Sequence, residues 1–448
     1  MNKLYAGYAQ ANITPPLGID IAGYYQIRLA DGILDELYAQ AVAFSVDDKK
    51  VVMVVLDNIG INRANIDIIR KYVSENVGIP EGSIFITCTH THTGPRVIFD
   101  SKEELTREYA VFIKRRISDI VALAIADLKP AKLGYAVGNA PRIAFIRRFR
   151  MKNGKVRTNP GVNNPDILAP IGEVDERVGV VRLDREGAHG IVIANFGVHP
   201  DVVGGCKISA DFPTFARQAV EGAIGGDVKC VYVNGAQGDV NHVNVFPRPG
   251  ESNGMFHDFD DVDRGYPHSR HMGNVIAGGV LQVYEKVKYI DIDTIDYCEK
   301  LVEVPSNRPD PSEVPLAKKY NALHEAGRDD EIPFEAMELT TELARARRIE
   351  NLENGPDSFT IPVSAFRVGE IGFVGFGGEP FCDVGKAVKE NKNYELVVSC
   401  PLTNGSQGYF PTINAYTEGG YEAASSRFKA GTAEMLADAG NALLDSMK

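Results

Sequence analysis

The sequence lacks an excess of positive charge: 48 Lys and Arg stand against 60 Asp and Glu, a net charge of −12. A nucleic-acid binder neutralises phosphates with surplus cations, and an anionic membrane attracts the same groups, so neither partner is expected. Paired cysteines are missing too. Cys88, Cys206, Cys230, Cys298, Cys382 and Cys400 are scattered without a CxxC pair and read as reduced core residues, not a disulfide framework. No apolar run approaches bilayer length; Val51–Leu56 is strand-sized, and no transmembrane segment is expected. Met1–Pro16 lacks the apolar run of a secretory leader, which makes a cytoplasmic location the expectation. Internal repeats and low-complexity tracts are absent as well.

What the chain does have is a globular composition, with 44% hydrophobic and 24% charged residues over 448 positions. Strand-like and helix-like stretches alternate, which predicts an α/β layering. Ala39–Ser45 and Val51–Leu56 flank a polar turn and predict a hairpin. Asn62–Asn76 has helical spacing and ends before Gly78, a residue suited to a C-terminal cap. Ser83–Cys88 predicts a short strand, and Ser101 with Glu104 predicts a capping box opening a helix to about Leu128. Strands follow at Lys132–Val137, Val178–Leu183, Ile191–Phe196 and Lys229–Val233. Residues 306–353, rich in Pro, Glu, Lys and Arg, read as a charged helical insertion inside one domain spanning 1–448. Strands return at Ile361–Val368, Ile371–Phe376 and Leu396–Ser399, before a closing helix from about Gly420 to Leu444.

Chemistry concentrates where predicted strands end. His90-Thr91-His92 follows Ser83–Cys88, and residues two apart on an extended chain share a face, so both imidazoles project together. One His capping a turn and the other bonding in the core is the bland alternative. His199-Pro200 closes a second strand, and sites in α/β sheets lie beyond strand ends. Three imidazoles on two termini approach a zinc set, which takes four ligands, one position staying open for catalysis. Asn234-Gly235-Ala236-Gln237-Gly238-Asp239-Val240-Asn241 is a tight loop whose N–H groups can face a ligand or simply make a turn. Glu379 after Gly377-Gly378 suits a metal ligand, a general base or a helix N-terminal acid. Tyr409, Tyr416 and Tyr421 crowd the glycine-rich stretch Asn404–Glu422, as in a binding-site wall. Arg142–Arg157 is basic, and an inward Arg147 or Arg148 can bind a substrate oxygen bidentately.

Taken in order, these motifs resemble the neutral ceramidases. Thr89-His90-Thr91-His92-Thr93-Gly94-Pro95 looks like that family's double-histidine motif. His199-Pro200, Ser209-Ala210-Asp211-Phe212-Pro213, the Asn-Gly-Ala-Gln-Gly-Asp-Val loop, Gly378-Glu379 and Tyr421-Glu422-Ala423-Ala424-Ser425 follow in the same order. The resemblance implies a layered αββα-like catalytic domain with mixed β-sheets and one catalytic zinc. Carried over, the family's ligands fall on His90, His199, Glu379 and Tyr409, with nearby Tyr416 the alternative phenol. His92 becomes a proton shuttle or transition-state donor and Arg147 holds a substrate oxygen, with Asn241 and Tyr416 completing the catalytic set. Asn234, Gly235, Gln237 and Tyr421 are then expected against the substrate.

Ceramidases carry Ser where this chain has Asn241, and the sequence lacks both their immunoglobulin-like C-terminal domain and their secretory signal. The resemblance therefore implies a zinc-dependent hydrolase cleaving an amide, ester or lactone bond of a small polar or anionic substrate, not ceramide. A carboxamide cannot be activated as a Ser hydroxyl can, so attack falls to a metal-activated water, with Asn241 as a donor to the substrate. The alternatives are a metal-binding pseudoenzyme or ligand-binding protein on the same scaffold, and a true ceramidase. Whether copies of the chain form a homo-oligomer stays open.

Overall fold

The computed structural model describes residues 3–225, 227–255 and 264–448. Its main strands are β1 (Tyr5–Asn12), β2 (Tyr38–Val46), β3 (Lys49–Leu56), β4 (Ile84–Cys88), β5 (Lys129–Asn139), β6 (Arg177–Arg185), β7 (Gly190–Phe196) and β8 (Val228–Asn234). They form one sheet in the order β8-β7-β6-β5-β1-β2-β3-β4, with Lys288–Ile290 added beside β5. A second sheet runs in chain order from β9 (Ile295–Pro305) through β10 (Ser358–Val368) and β11 (Ile371–Phe376) to β12 (Leu396–Cys400). Both sheets are mixed: β3 and β4, β7 and β8, and β11 and β12 run parallel, and the other neighbours in these two orders run antiparallel.

The period of two along the strands sorts side chains into layers. Ala39, Ala41 and Ala43 of β2 and Val52, Val54 and Leu56 of β3 pack outward against the helices α1 (Arg63–Val77) and α2 (Glu104–Ala126). Their neighbours Val42, Phe44, Met53 and Val55 face inward onto Phe366, Phe373 and Val398 of the second sheet. Val180, Val192, Ala194 and Tyr232 lie under α3 (Phe212–Ile224) and α4 (Tyr266–Tyr284). The far face of the second sheet carries α7 (Cys382–Lys389) and the closing helix. The result is an αββα sandwich, the layering expected from the sequence.

The insertion folds as two helices, α5 (Val314–Glu325) and α6 (Ala336–Leu352). They pack on one another through Val314, Ala317, Ala346 and Ile349. Among the described residues, no helix is long and apolar enough to cross a membrane.

Two sequence expectations fail locally. The capping box at Ser101 is absent, because Ser101 Oγ accepts from Glu103 N at 3.2 Å and α2 begins only at Glu104 with no side-chain cap. The single closing helix expected from about Gly420 is two pieces, α9 (Tyr421–Ser425) and α10 (Thr432–Ser446), preceded by the short α8 (Ala415–Glu418). Gly419, Gly420 and Gly431 all take positive φ, which breaks helical continuation, and residues 426–428 turn away to bond with the start of the insertion.

Candidate metal centre

β4 and β8 are the outer strands of the long sheet, yet Asn234 Nδ2 at the end of β8 donates to the Thr89 carbonyl just beyond β4, at 3.1 Å. The sheet is coiled far enough for its edges to meet, an accumulation of ordinary strand twist. This brings His90, after β4, and His199, after β7, to an Nε2···Nε2 distance of 3.2 Å across 109 positions of sequence. Glu379, after β11, joins them from the second sheet. Its Oε2 lies 3.2 Å from His90 Nε2 and 3.3 Å from His199 Nε2.

The protons on these rings are placed by the backbone. His90 Nδ1 meets the Ile59 carbonyl at 2.6 Å and His199 Nδ1 the Gln237 carbonyl at 2.9 Å. Each carbonyl accepts, so each Nδ1 donates, and the Nε2 lone pairs of both rings point at one another. Glu379 Oε2 is buried there with no hydrogen-bond donor. Three electron-rich atoms facing one point repel unless a cation lies between them. Tetrahedral zinc with bonds of roughly 2.0–2.1 Å has ligand-to-ligand edges of about 3.3 Å, which matches all three distances. The donor set therefore fits zinc, and the Nδ1 carbonyls are the outer partners that orient metal-binding imidazoles.

His92 meets only His90 at such a spacing, with Nε2 atoms 3.3 Å apart. The three imidazoles form a buried group able to hold an ion. His92 thus stands beside the Glu379 triangle and not within it. Its Nδ1 is buried without a hydrogen bond and faces Asp201 Oδ1 at 3.8 Å. Asp201 also ion-pairs with Arg264 at 2.7 Å and accepts from the Tyr24 hydroxyl. Gly23 has φ +111°, and a Cβ there would fall 2.7 Å from the His92 ring, so the loop can approach His92 only as glycine.

Burial drives the His92 pKa well below the ordinary value and also lowers that of His199, where the Arg147 charge adds to it. For His90 burial pulls the same way, but the Glu379 carboxylate outweighs it and the net shift is upward. Burial would raise the Glu379 carboxyl, yet His90 and His199 hold it well below the carboxylate range. His90 itself has φ +78°, a backbone strain of the kind that persists where surrounding structure enforces it.

Of the two candidate phenols, the fold brings Tyr409 to the cluster. It pairs with Glu379 in a short parallel bridge, and its ring lies near-parallel to that of His199, with centroids 6.3 Å apart. Burial and the Glu379 charge raise its pKa well above normal, with Arg147 opposing. Tyr416 is carried elsewhere: its hydroxyl donates to the Phe428 carbonyl at 2.7 Å and sits 3.0 Å from Ser426 Oγ, because α8 faces the C-terminal turn.

Arg147 and Arg148 do turn inward, but both are occupied. Arg147 Nε donates to Glu422 Oε1 at 2.6 Å and its Nη2 to the Gly238 carbonyl at 2.7 Å. Arg148 Nη2 donates to Glu418 at 3.1 Å and to the Gly419 carbonyl at 2.9 Å. Arg147 also lies 5.4 Å over the Tyr409 ring. Its expected work on a substrate oxygen therefore becomes work on Tyr409 and Glu422 first.

Three amides of the glycine-rich loop are engaged within the protein. Gly235 N bonds to the Phe196 carbonyl, Gly238 N to that of Pro380 and Val240 N to that of Gln237. Asn234 is a stitch, with Oδ1 accepting from Val198 N. Gln237 is different, since its side-chain Nε2 and Oε1 are both buried without a partner. Asn241 Nδ2 donates to Asn159 Oδ1 at 2.9 Å and its Oδ1 accepts from Val243 N at 3.0 Å. Its amide closes the turn with its oxygen and one of its two N–H groups. Tyr421 stands in the wall, its ring against Tyr409 at 5.8 Å.

Sequence reasoning missed Asp201, Glu422, Tyr24 and Tyr25. Asp201 follows His199-Pro200 directly, and Tyr24-Tyr25 lies beside Gly23, so the rule that flagged Asn404–Glu422 also applied there. Comparison with solved structures fits this geometry. The chain is similar to neutral ceramidase from Pseudomonas aeruginosa, with TM-score 0.74 and 17% identity over 100% of this chain and 75% of that one. A structure described as ceramidase complexed with C2 gives TM-score 0.73, 17% identity and the same coverages. The fold is that of these ceramidases. No protein-family model and no curated protein sequence matches the chain.

Proposed function

We propose that this protein is a zinc-dependent hydrolase that cleaves an amide or ester bond, lactones included, in a small polar substrate. One observation carries the reading: the triangle of His90 Nε2, His199 Nε2 and Glu379 Oε2, with edges of 3.2–3.3 Å and both Nδ1 atoms turned away to backbone carbonyls. Tyr409 supplies the fourth ligand. The fold shared with ceramidases supports an acyl bond as the target.

Bound zinc would supply Lewis acidity toward the scissile carbonyl and acidify a water. The chain's own residues do the rest. His92 takes a proton at Nε2 from the attacking water and returns it to the leaving group, with its Nδ1–H directed at Asp201, an arrangement in which a carboxylate orients an imidazole for acid–base work. Arg147 and Glu422 fix Tyr409, and Tyr421 walls the substrate. Gln237, the one loop side chain with both polar atoms free, contacts the substrate or an ordered water, and Asn234, Gly235 and Asn241 shape the loop that holds it.

The test is a screen of zinc-loaded protein against N-acyl, O-acyl and lactone compounds, beside metal analysis and anomalous scattering. One zinc per chain at His90 and His199 with turnover on an acyl substrate is expected. A metal elsewhere, or zinc in place with no turnover on any member, overturns the reading.

A further inference from the structure

The cluster of His90, His199 and Glu379 is buried, and a row of tyrosines leads from it toward the surface. Tyr409 packs on Tyr421 with rings 5.8 Å apart, and the Tyr421 hydroxyl lies 3.1 Å from that of Tyr25. Tyr25 is 37% exposed and is the neighbour of Tyr24, whose ring sits 5.6 Å from His92. The loop bearing Tyr24 and Tyr25 and the loop bearing Tyr421 thus form two sides of one mouth.

The third side is the helical insertion, through Arg347 of α6. Its guanidinium carbon lies over the Tyr25 ring, 4.3 Å from the centroid. The other arginines of this helix are fully engaged: Arg345 pairs with Glu313, and Arg348 donates to the Ala424 and Asn307 carbonyls at 2.9 and 2.8 Å. Arg147 and Arg148 are likewise paired, with Glu422 and Glu418. Among the described residues Arg347 has no carboxylate or carbonyl within hydrogen-bond reach, although it is half-buried. A guanidinium held over a ring face by a cation–π contact spends none of its N–H donors on it and can offer them to an anion.

We infer that Arg347 is the anion receptor of this site, so that the substrate carries a carboxylate or phosphate remote from the bond that is cleaved. The inference rests on the hydrolase reading above for the identity of the site. It also moves the expected anion specificity from Arg147 and Arg148, which are consumed internally, to a residue of the insertion. Tyr25 acts as the platform that holds the fork, and the two phenolic hydroxyls lie along the substrate between receptor and metal.

The experiment has two arms. In the first, zinc-free protein is titrated calorimetrically with N-acetyl-6-aminohexanoate, with its primary carboxamide and with the analogue ending in a phosphate monoester. The anions should bind about ten- to a hundred-fold tighter than the carboxamide, the range of a charge-assisted bidentate contact. Arg347→Gln should remove that difference and Arg347→Lys should keep part of it, with the stronger anion naming the natural group. In the second arm zinc-loaded protein hydrolyses the same acyl compounds, and the ratio of kcat/KM for anion over carboxamide should collapse toward one in Arg347→Gln. Equal binding of anion and carboxamide, or a variant that lowers both alike, overturns the receptor and leaves the hydrolase standing. Arg347-dependent anion binding without hydrolysis of any compound sustains the receptor and removes the hydrolase reading.

Discussion

The two sides of the metal centre are built on different principles. On the histidine side, His90 and His199 follow sheet strands directly and are oriented by main-chain carbonyls, of Ile59 and Gln237. On the arginine side, Arg147 and Tyr409 come from a ribbon and a loop, oriented by an ion pair with Glu422 that spans 275 positions. Backbone acceptors survive most side-chain replacements. A buried ion pair does not, because removing one charge strands the other in a low-dielectric site. The histidine side should therefore fail in binding without unfolding, and the arginine side should fail in stability.

The sharpest break of this comparison is His90→Ala. Zinc content should fall from one per chain to near zero while circular dichroism and the unfolding midpoint of the metal-free protein stay close to the parent. A chain of this length does not depend on metal as a zinc finger does. On the other side, Glu422→Gln leaves the buried Arg147 without its charge partner. Denaturant unfolding should show a loss of about 3–5 kcal/mol, with zinc still bound in whatever fraction is folded. If Glu422→Gln instead released zinc with no change in stability, the distinction between the sides would be lost.

A smaller effect is expected at Asn241, between the two sides. With both ends of its amide engaged, Asn241→Ala should cost about 1 kcal/mol of stability and less than tenfold in turnover per folded molecule. A loss on the order of a hundred-fold or more would be the signature of a missing transition-state donor and would return Asn241 to the substrate.

The smallest effect concerns pH. Asp35 accepts from Ser209 Oγ and Ala210 N beneath the His199 loop, and burial raises its pKa to about 6 despite those donors. The folded chain then holds a proton that the unfolded chain, with a pKa of roughly 3.9, has released. This contribution is present in full below about pH 4 and is lost as pH rises through 6. Relative to Asp35→Asn, the parent should therefore lose about 1 kcal/mol of stability between pH 5 and pH 7, read from denaturant curves at both values.

The histidine side was legible in the sequence because each ligand sits within a few residues of an apolar strand, and strand ends are where α/β sheets place sites. The apolar runs Ala39–Ser45 and Val51–Leu56 likewise announced the hairpin of β2 and β3. The arginine side was half legible. The basic run and the tyrosine cluster stood out, but nothing local says that Arg147 meets Glu422 or that Tyr409, not Tyr416, lies beside Glu379 and His199. Such choices depend on contacts between distant segments, such as the bridge of Tyr409 with Glu379. Asp201 and Tyr24 were missed for the same reason, since the bond between them joins positions 177 apart. The Ser101 capping box failed because one serine can serve either a helix or a local turn, and here the turn takes it.

Closure of the long sheet upon itself has a consequence for how the protein reaches its working state. The proposed ligands come from four separate stretches of chain, and His90 and His199 alone stand 109 residues apart. No partial fold that lacks either edge strand or the second sheet can present them together. Long-range pairings of this kind form late, after their loop-closure entropy has been met. Metal affinity is therefore a property only of the finished molecule. A chain arrested in folding, or nicked between the two sheets, should be blind to zinc even while most of its helices are in place.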